Sequence, residues 1–208
     1  MTIYVSTKHN FAATTNPGTG DDSGDGYSVG SHWYNVTLDL AWYCIDATLT
    51  AAIWKLVDPI RTLASSAVQV SHTGNTDETI LATVTVPGGA MGTNGLIRIV
   101  SQFSYTGTNT KTSRARFGGI GGTLYLARAN TTNIQSVHER FIFNRNSASS
   151  QVGMPSGTGT TYGDSGSALA TSAQNTASDV DLVFTGQLTN TGETIAIEYY
   201  LVEIMYRP

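Results

Sequence analysis

The sequence predicts an all-β fold, a small β-hairpin module followed by an antiparallel β-sandwich, and three observations carry that expectation. Apolar residues recur with a period of two along almost the whole chain, the spacing that gathers them on one face of a strand. The polar positions between them are filled mainly by Thr, Ser, Asn and Gly, residues suited to strands and tight turns. No segment joins convincing caps to a sustained helical period, so helix is not expected.

From the N-terminus, residues 16–33 form a Gly- and Asp-rich run that ends on Trp33. Residues 31–37 and 41–46 then flank Leu38-Asp39-Leu40, with Trp33-Tyr34 and Trp42-Tyr43 in matching places, the signature of a hairpin. Trp54 closes the unit. So small a unit, without disulfide or metal, needs bulky aromatics or a partner. That need assigns Trp33, Trp42 and Trp54 to its core in preference to stacking on sugar rings. Composition changes at Asp58-Pro59. Residues 1–58 therefore read as the first module, 59–70 as a linker holding at most a short turn, and 71–208 as the sandwich.

Within the sandwich, Ile80, Ala82, Val84 and Val86 share one strand face, and Ile97, Ile99, Phe103 and Tyr105 share another. Phe141 with Phe143, and Leu182 with Phe184, mark two more one-sided strands, each predicted to turn its apolar face inward. Gly118-Gly119-Ile120-Gly121-Gly122 reads as a turn between strands. Residues 193–206 differ. Ile195, Ile197, Tyr199, Leu201 and Met205 alternate with Ala196, Tyr200, Val202, Ile204 and Tyr206. Both faces are apolar, and the outer one is expected to be covered by another subunit of a homotrimer, with Tyr199 and Leu201 in the interface. Residues 147–178 lack a sustained period and read as a long loop, of the kind that is functional or ordered by a neighbour.

Charged residues make up only 12% of the 208, with a net charge of −4 and three lysines, Lys8, Lys55 and Lys111. Arg114 and Arg116 are the one close basic pair, a poor phosphate track, so nucleic-acid binding is not expected. A hydrophobic content of 40% supplies material for a core. Cys44 is the sole cysteine, which excludes an intrachain disulfide and a cysteine-cluster zinc site. Residues 1–15 lack the apolar stretch of a signal peptide, and no run is long enough to insert in a membrane. A protein folded and assembled in a cytoplasm is the expectation.

Three motifs invite chemistry. Gly163-Asp164-Ser165-Gly166-Ser167 is similar to the nucleophile loop of chymotrypsin-like serine proteases. None of His9, His32, His72 and His138 stands in the matching histidine context, however, so Ser165 is read as loop and no catalytic residue is assigned. Asp21, Ser23, Asp25 and Gly26 match the first half of a calcium loop, but His32 stands where the bidentate Glu belongs. An Asx-rich turn accounts for the same residues. The histidines lack metal-ligand spacing, and no metal or cofactor is expected.

Residues 16–33, Tyr43-Cys44-Ile45-Asp46-Ala47-Thr48 and Ala52-Ile53-Trp54-Lys55 together resemble a small module common in tailed-phage fibre, spike and appendage proteins. The runs 79–87 and 195–203 are similar to the jelly-roll-like C-terminal domains of such proteins, and the two resemblances cover about residues 14–56 and 70–208. They imply a homotrimer located in the virion, docked on other virion proteins through its N-terminal module, and often a host-surface glycan as ligand. They supply no catalytic residues. The chain has no long coiled-coil or β-helix shaft, which implies a short spike, a tip or a capsid-mounted fibre.

Two functions follow. One is a trimeric receptor-binding protein touching polysaccharide through loops 106–112 and 147–178, with Tyr105 and Tyr162 as contact residues. The alternative is a purely structural decoration or connector protein. An enzyme is not expected.

Overall fold

A computed structural model describes residues 7–154 and 168–207. Among the described residues every regular element is a strand apart from a 3-10 turn at Ser23–Asp25, so the all-β expectation holds. The chain divides into two units, Met1–Pro59 and Ile60–Pro208.

In the first unit, β1 (Asn10–Ala13), β2 (His32–Asn35), β3 (Leu40–Asp46) and β4 (Ile53–Leu56) form one sheet in that order. β2 and β3 are the anticipated hairpin, with Trp33 directly opposite Trp42. The Asn35 side chain makes the turn by accepting from the Thr37 and Leu38 N–H groups at 3.0 and 3.1 Å, and Asp39 takes a φ of 51°. The unit exceeds a hairpin, because β1 adds in parallel beside β2 and β4 adds beside β3.

Its core is aromatic. Trp33 and Trp42 are buried, Trp54 is half-buried, and Tyr27 packs edge-on to Trp54 with ring centroids 5.4 Å apart. The Trp33 and Trp54 indole N–H groups donate to the carbonyls of Thr15 and Asp21 at 2.8 and 3.0 Å, so their polar edges are satisfied. The Asp-rich run is a turn. The buried Asp22 carboxylate accepts from the Thr50 and Gly24 N–H groups, each at 2.6 Å, and the Thr50 bond foremost holds its pKa below the usual carboxylate range. Asp21 accepts from the Gly18 N–H at 2.8 Å. Backbone donors thus occupy both Asp22 oxygens and one of Asp21.

All three tryptophans lie in this unit, so their fluorescence reports on it alone. Truncating a buried Trp costs about 3–5 kcal/mol, as much as a core this small supplies in total. Trp33→Ala is therefore expected to red-shift the emission of Trp42 and Trp54 at temperatures where the unaltered protein's emission stays blue. An unshifted spectrum would show that Tyr27 and Trp54 suffice.

The second unit runs β5 (Ile60–Ser66), β6 (Val70–His72), β7 (Thr79–Val86), β8 (Leu96–Thr106), β9 (Lys111–Phe117), β10 (Thr123–Asn130), β11 (Ile134–Asn144), β12 (Gln151–Gly153), β13 (Ala170–Ser172), β14 (Val180–Leu188) and β15 (Thr194–Met205). A small sheet, β10-β9-β14-β7, faces a large one, β13-β12-β11-β8-β15-β5 with β6 also beside β15. Between them lies a single core in which Phe103, Phe117, Tyr125, Phe184, Ile97 and Leu182 are fully buried. Burying each such side chain contributes about 1.5–3 kcal/mol.

Four expectations are corrected here. Residues 60–66 are no linker, because β5 pairs antiparallel with β15 and lays Leu63 and Ala64 against the core. The segment 147–178 is not all loop, since β12 and β13 extend the large sheet within it. Phe141 and Phe143 face outward while Ile142 is fully buried, so β11 carries apolar residues on both faces and the aromatics lie outside. Ile80 is 43% exposed because Leu81 is an extra residue against β14 and takes the inward position.

A bulge of the same kind resolves the two-sided strand. Ile197 pairs with Phe103 and Tyr199 with Gln102, leaving Glu198 as the additional residue of β15. The phase flips there. Ile195 and Ile197 point inward before it, and Tyr200, Val202 and Ile204 point inward after it. Tyr199, Leu201 and Met205 consequently share the outer face rather than the face of Ile195.

Candidate functional site

The outer face of the large sheet is built from β11, β8 and β15 in four cross-strand rows. They are Phe143–Leu96–Met205, Phe141–Arg98–Glu203, Glu139–Val100–Leu201 and Val137–Gln102–Tyr199. At its centre Arg98 bridges two carboxylates, donating from Nε to Glu139 at 2.6 Å and from Nη1 to Glu203 at 2.7 Å. These bonds, the one to Glu203 foremost, raise the guanidinium pKa still further. Around this ionic knot the surface is oily. Val137 is 67% exposed and Phe143 40%, with Phe141 stacked on Phe143 at a centroid distance of 6.0 Å. Ile60 of β5, 45% exposed and paired with Met205, continues the patch. Exposed apolar residues gathered on one sheet face are a common mark of a contact site.

The small sheet is finished differently on its outer side. Glu78 accepts from the Arg116 Nε and Nη2 at 2.7 and 2.9 Å and from the Thr185 hydroxyl at 2.6 Å, while Arg114 donates to Gln187 at 2.8 Å. Val183 and Thr185 are buried on this face, closed over by that network. A shallow cleft near Gly118, Gly119, Gln174 and Val180 also holds Asp179 and Asp181. Both carboxylates are engaged internally, accepting from the Gly88 N–H and the Thr85 hydroxyl, each at 2.8 Å.

Tyr199 and Leu201 fall on neighbouring rows of the large sheet's outer face, half-buried in the single chain. Tyr105 does not belong to a contact loop. β8 runs on to Thr106, and Tyr105 is 2% exposed with its hydroxyl bonded to Ser113 and Ser136 at 2.8 and 2.9 Å. Tyr162 and Ser165 lie outside the described residues. The pattern reading missed Val100, Val137, Phe141, Phe143 and Met205 as members of one surface. Their outward phase follows only from the cross-strand register.

No protein-family model and no curated protein matches the chain. Among solved structures it is similar to lectin I of Ulex europaeus in complex with the methyl glycoside of α-L-fucose, at 12% identity and a TM-score of 0.34 over 71% of this chain and 92% of the lectin. It is also similar to the VP2 subviral particle of infectious bursal disease virus, at 12% identity and a TM-score of 0.29 over 79% of this chain. The Gx strain of that virus gives 14% identity and a TM-score of 0.25 over 77% of this chain. The chain spans 46% and 44% of those two viral chains.

Proposed function

We propose that the protein is a virion structural component, a short homotrimeric fibre or spike of a tailed phage that presents its β-sandwich to host-surface glycan. The observation that carries the reading is the apolar outer face of the large sheet. Closed cyclic assemblies bury such a face symmetrically, and Tyr199 and Leu201 would sit within the buried area. The first unit, with an aromatic core of its own, is the part assigned to docking on the particle. Low charge and abundant Thr, Ser and Asn suit weak polar contact with sugars, which three copies raise to useful avidity. The reading assigns no catalysis.

The test is light scattering on the purified full chain, paired with adsorption to host cells competed by their own surface polysaccharide. Three chains' mass and competed adsorption are expected. A monomer at micromolar concentration would overturn the trimer. A trimer that ignores host cells would favour a decoration or connector protein.

A further inference from the structure

Where edge strand β10 of the small sheet meets β11 of the large one, the margin of the sandwich is basic and polar. His138 pairs with Ser101, Arg140 with Ile99 and Ser136 with Phe103, and these partners are buried in the inter-sheet space, so this face of β11 turns toward β10. On β10, Arg128 pairs with the fully buried Ser113 and lies on the same side of its sheet, exposed at the edge. A hydroxyl relay joins the two sheets: Ser113 to the Tyr105 hydroxyl at 2.8 Å, on to Ser136 at 2.9 Å, and from Ser136 to His138 Nε2 at 2.8 Å.

The charges here are unbalanced. Among the described residues no carboxylate pairs with Arg128 or Arg140. The Arg140 Nη1 donates only to the Glu139 carbonyl at 2.7 Å, while its Nε is buried with no acceptor. Asn130, two residues beyond Arg128 on the same face and 6% exposed, has its amide NH2 unsatisfied, as does the hydroxyl of Ser101 opposite His138. Burial first, then the charges of Arg140 and Arg128, depress the His138 pKa to about 4. A partly buried guanidinium without a counter-ion, beside idle donors, is unfavourable unless an acceptor arrives.

We propose that this edge of the sandwich, where β10 meets β11, binds the oxyanion of an acidic saccharide, its carboxylate or sulfate group held by Arg128 and Arg140, with Asn130 near Arg128. The inference rests on the glycan-binding reading and names its ligand class. A planar guanidinium takes a two-oxygen anion in bidentate fashion. Two arginines match one such group, where a nucleic acid would need an extended track. The Ser113–Tyr105–Ser136 relay acts as the positioning element, fixing the ring of His138 through Ser136. Tyr105 thus supports the site from within instead of touching a ligand from a loop.

The experiment is histidine-resolved NMR of the full chain at constant ionic strength, titrated separately with D-glucuronate, D-glucose and sodium sulfate. Glucuronate is expected to shift the His138 resonances saturably and to raise the pH at which they titrate, and glucose to do neither. Arg128→Gln, at an exposed position, and Arg140→Gln are each expected to weaken glucuronate about tenfold or more, with Arg140→Lys recovering part of the loss. No saturable shift, equal shifts with glucose, or unchanged affinity in Arg128→Gln would overturn the site. Sulfate binding without glucuronate binding would overturn the saccharide as its source. A protein that adsorbs to host cells yet shows no shift loses this site and keeps the proposed function. One that binds glucuronate but no host cell keeps the site and loses that function.

Discussion

Replacing Glu193 with alanine is expected to lower the melting temperature of the sandwich by on the order of 10 °C, more than any other single charge deletion. Lys111 is fully buried, and its Nζ donates to Glu193 Oε2 at 3.1 Å. The other carboxylate oxygen gathers three donors, the Thr108 and Asn109 N–H groups at 2.6 and 2.8 Å and the Asn109 amide at 3.0 Å. One side chain therefore neutralises a buried ammonium and pins the turn between β8 and β9. Removing it leaves a buried charge unpaired and orphans two backbone donors. Gly107 permits the arrangement. Its φ is +94°, and a Cβ there would run into the Glu193 carboxylate, so Gly107→Ala should reproduce part of the loss.

The same carboxylate sets an acid limit. Its hydrogen bonds, that from the Asn109 backbone N–H foremost, hold its pKa down at about 2. The folded value lies below the unfolded one near 4.3. Its contribution is therefore complete above that value and is lost as pH falls toward 2. Calorimetric melting of Glu193→Gln should show a flatter acid limb than the unaltered protein. Identical limbs would remove Glu193 from this role.

Val137→Asp and Tyr199→Asp should each break the proposed trimer, weakening association at least about a hundredfold, because each would bury an unpaired charge in an apolar contact. Val137 is the cleaner site: at 67% exposure in the single chain, its replacement leaves the fold undisturbed. Light scattering across a dilution series reads the result, with the melting temperature of the monomer as a check on folding. Thr83→Asp, on an exposed position of the small sheet, should leave assembly intact. Host adsorption should fall along with assembly as avidity is lost. If both aspartate variants keep three chains' mass, the interface lies on another face.

Period-two alternation made most strands legible, because one buried face stamps its pattern directly on the residues. It failed where register overrode it. At 196–200, Ala-Ile-Glu-Tyr-Tyr fills both phases, so nothing local marks Glu198 as the bulge. Around 137–143, His138 and Arg140 occupy the inward phase and aromatics the outward one, an inversion that runs against hydrophobicity. Residues 60–66 contain too many small side chains, Ala64, Ser65 and Ser66 among them, to show any amplitude. Lys111 was visible only as one of three lysines, since its partner Glu193 lies 82 positions away. One partner of the Tyr105 hydroxyl, Ser136, is likewise distant, 31 positions away.

The place of β15 has a consequence for biosynthesis. Of the fifteen strands among the described residues it leaves the ribosome last, yet it lies between β8 on one side and β5 and β6 on the other. Gln69, just before β6, waits 129 residues for its bond to Glu198. Until then the nascent chain holds β5, β6 and one edge of β8 without their partner, a long unpaired edge of the kind that recruits other chains. Topology of such high contact order folds slowly. In a crowded polysome, neighbouring copies would display the same vacant edge at the same moment, so shielding of β8 until β15 arrives is expected to raise the yield of folded protein.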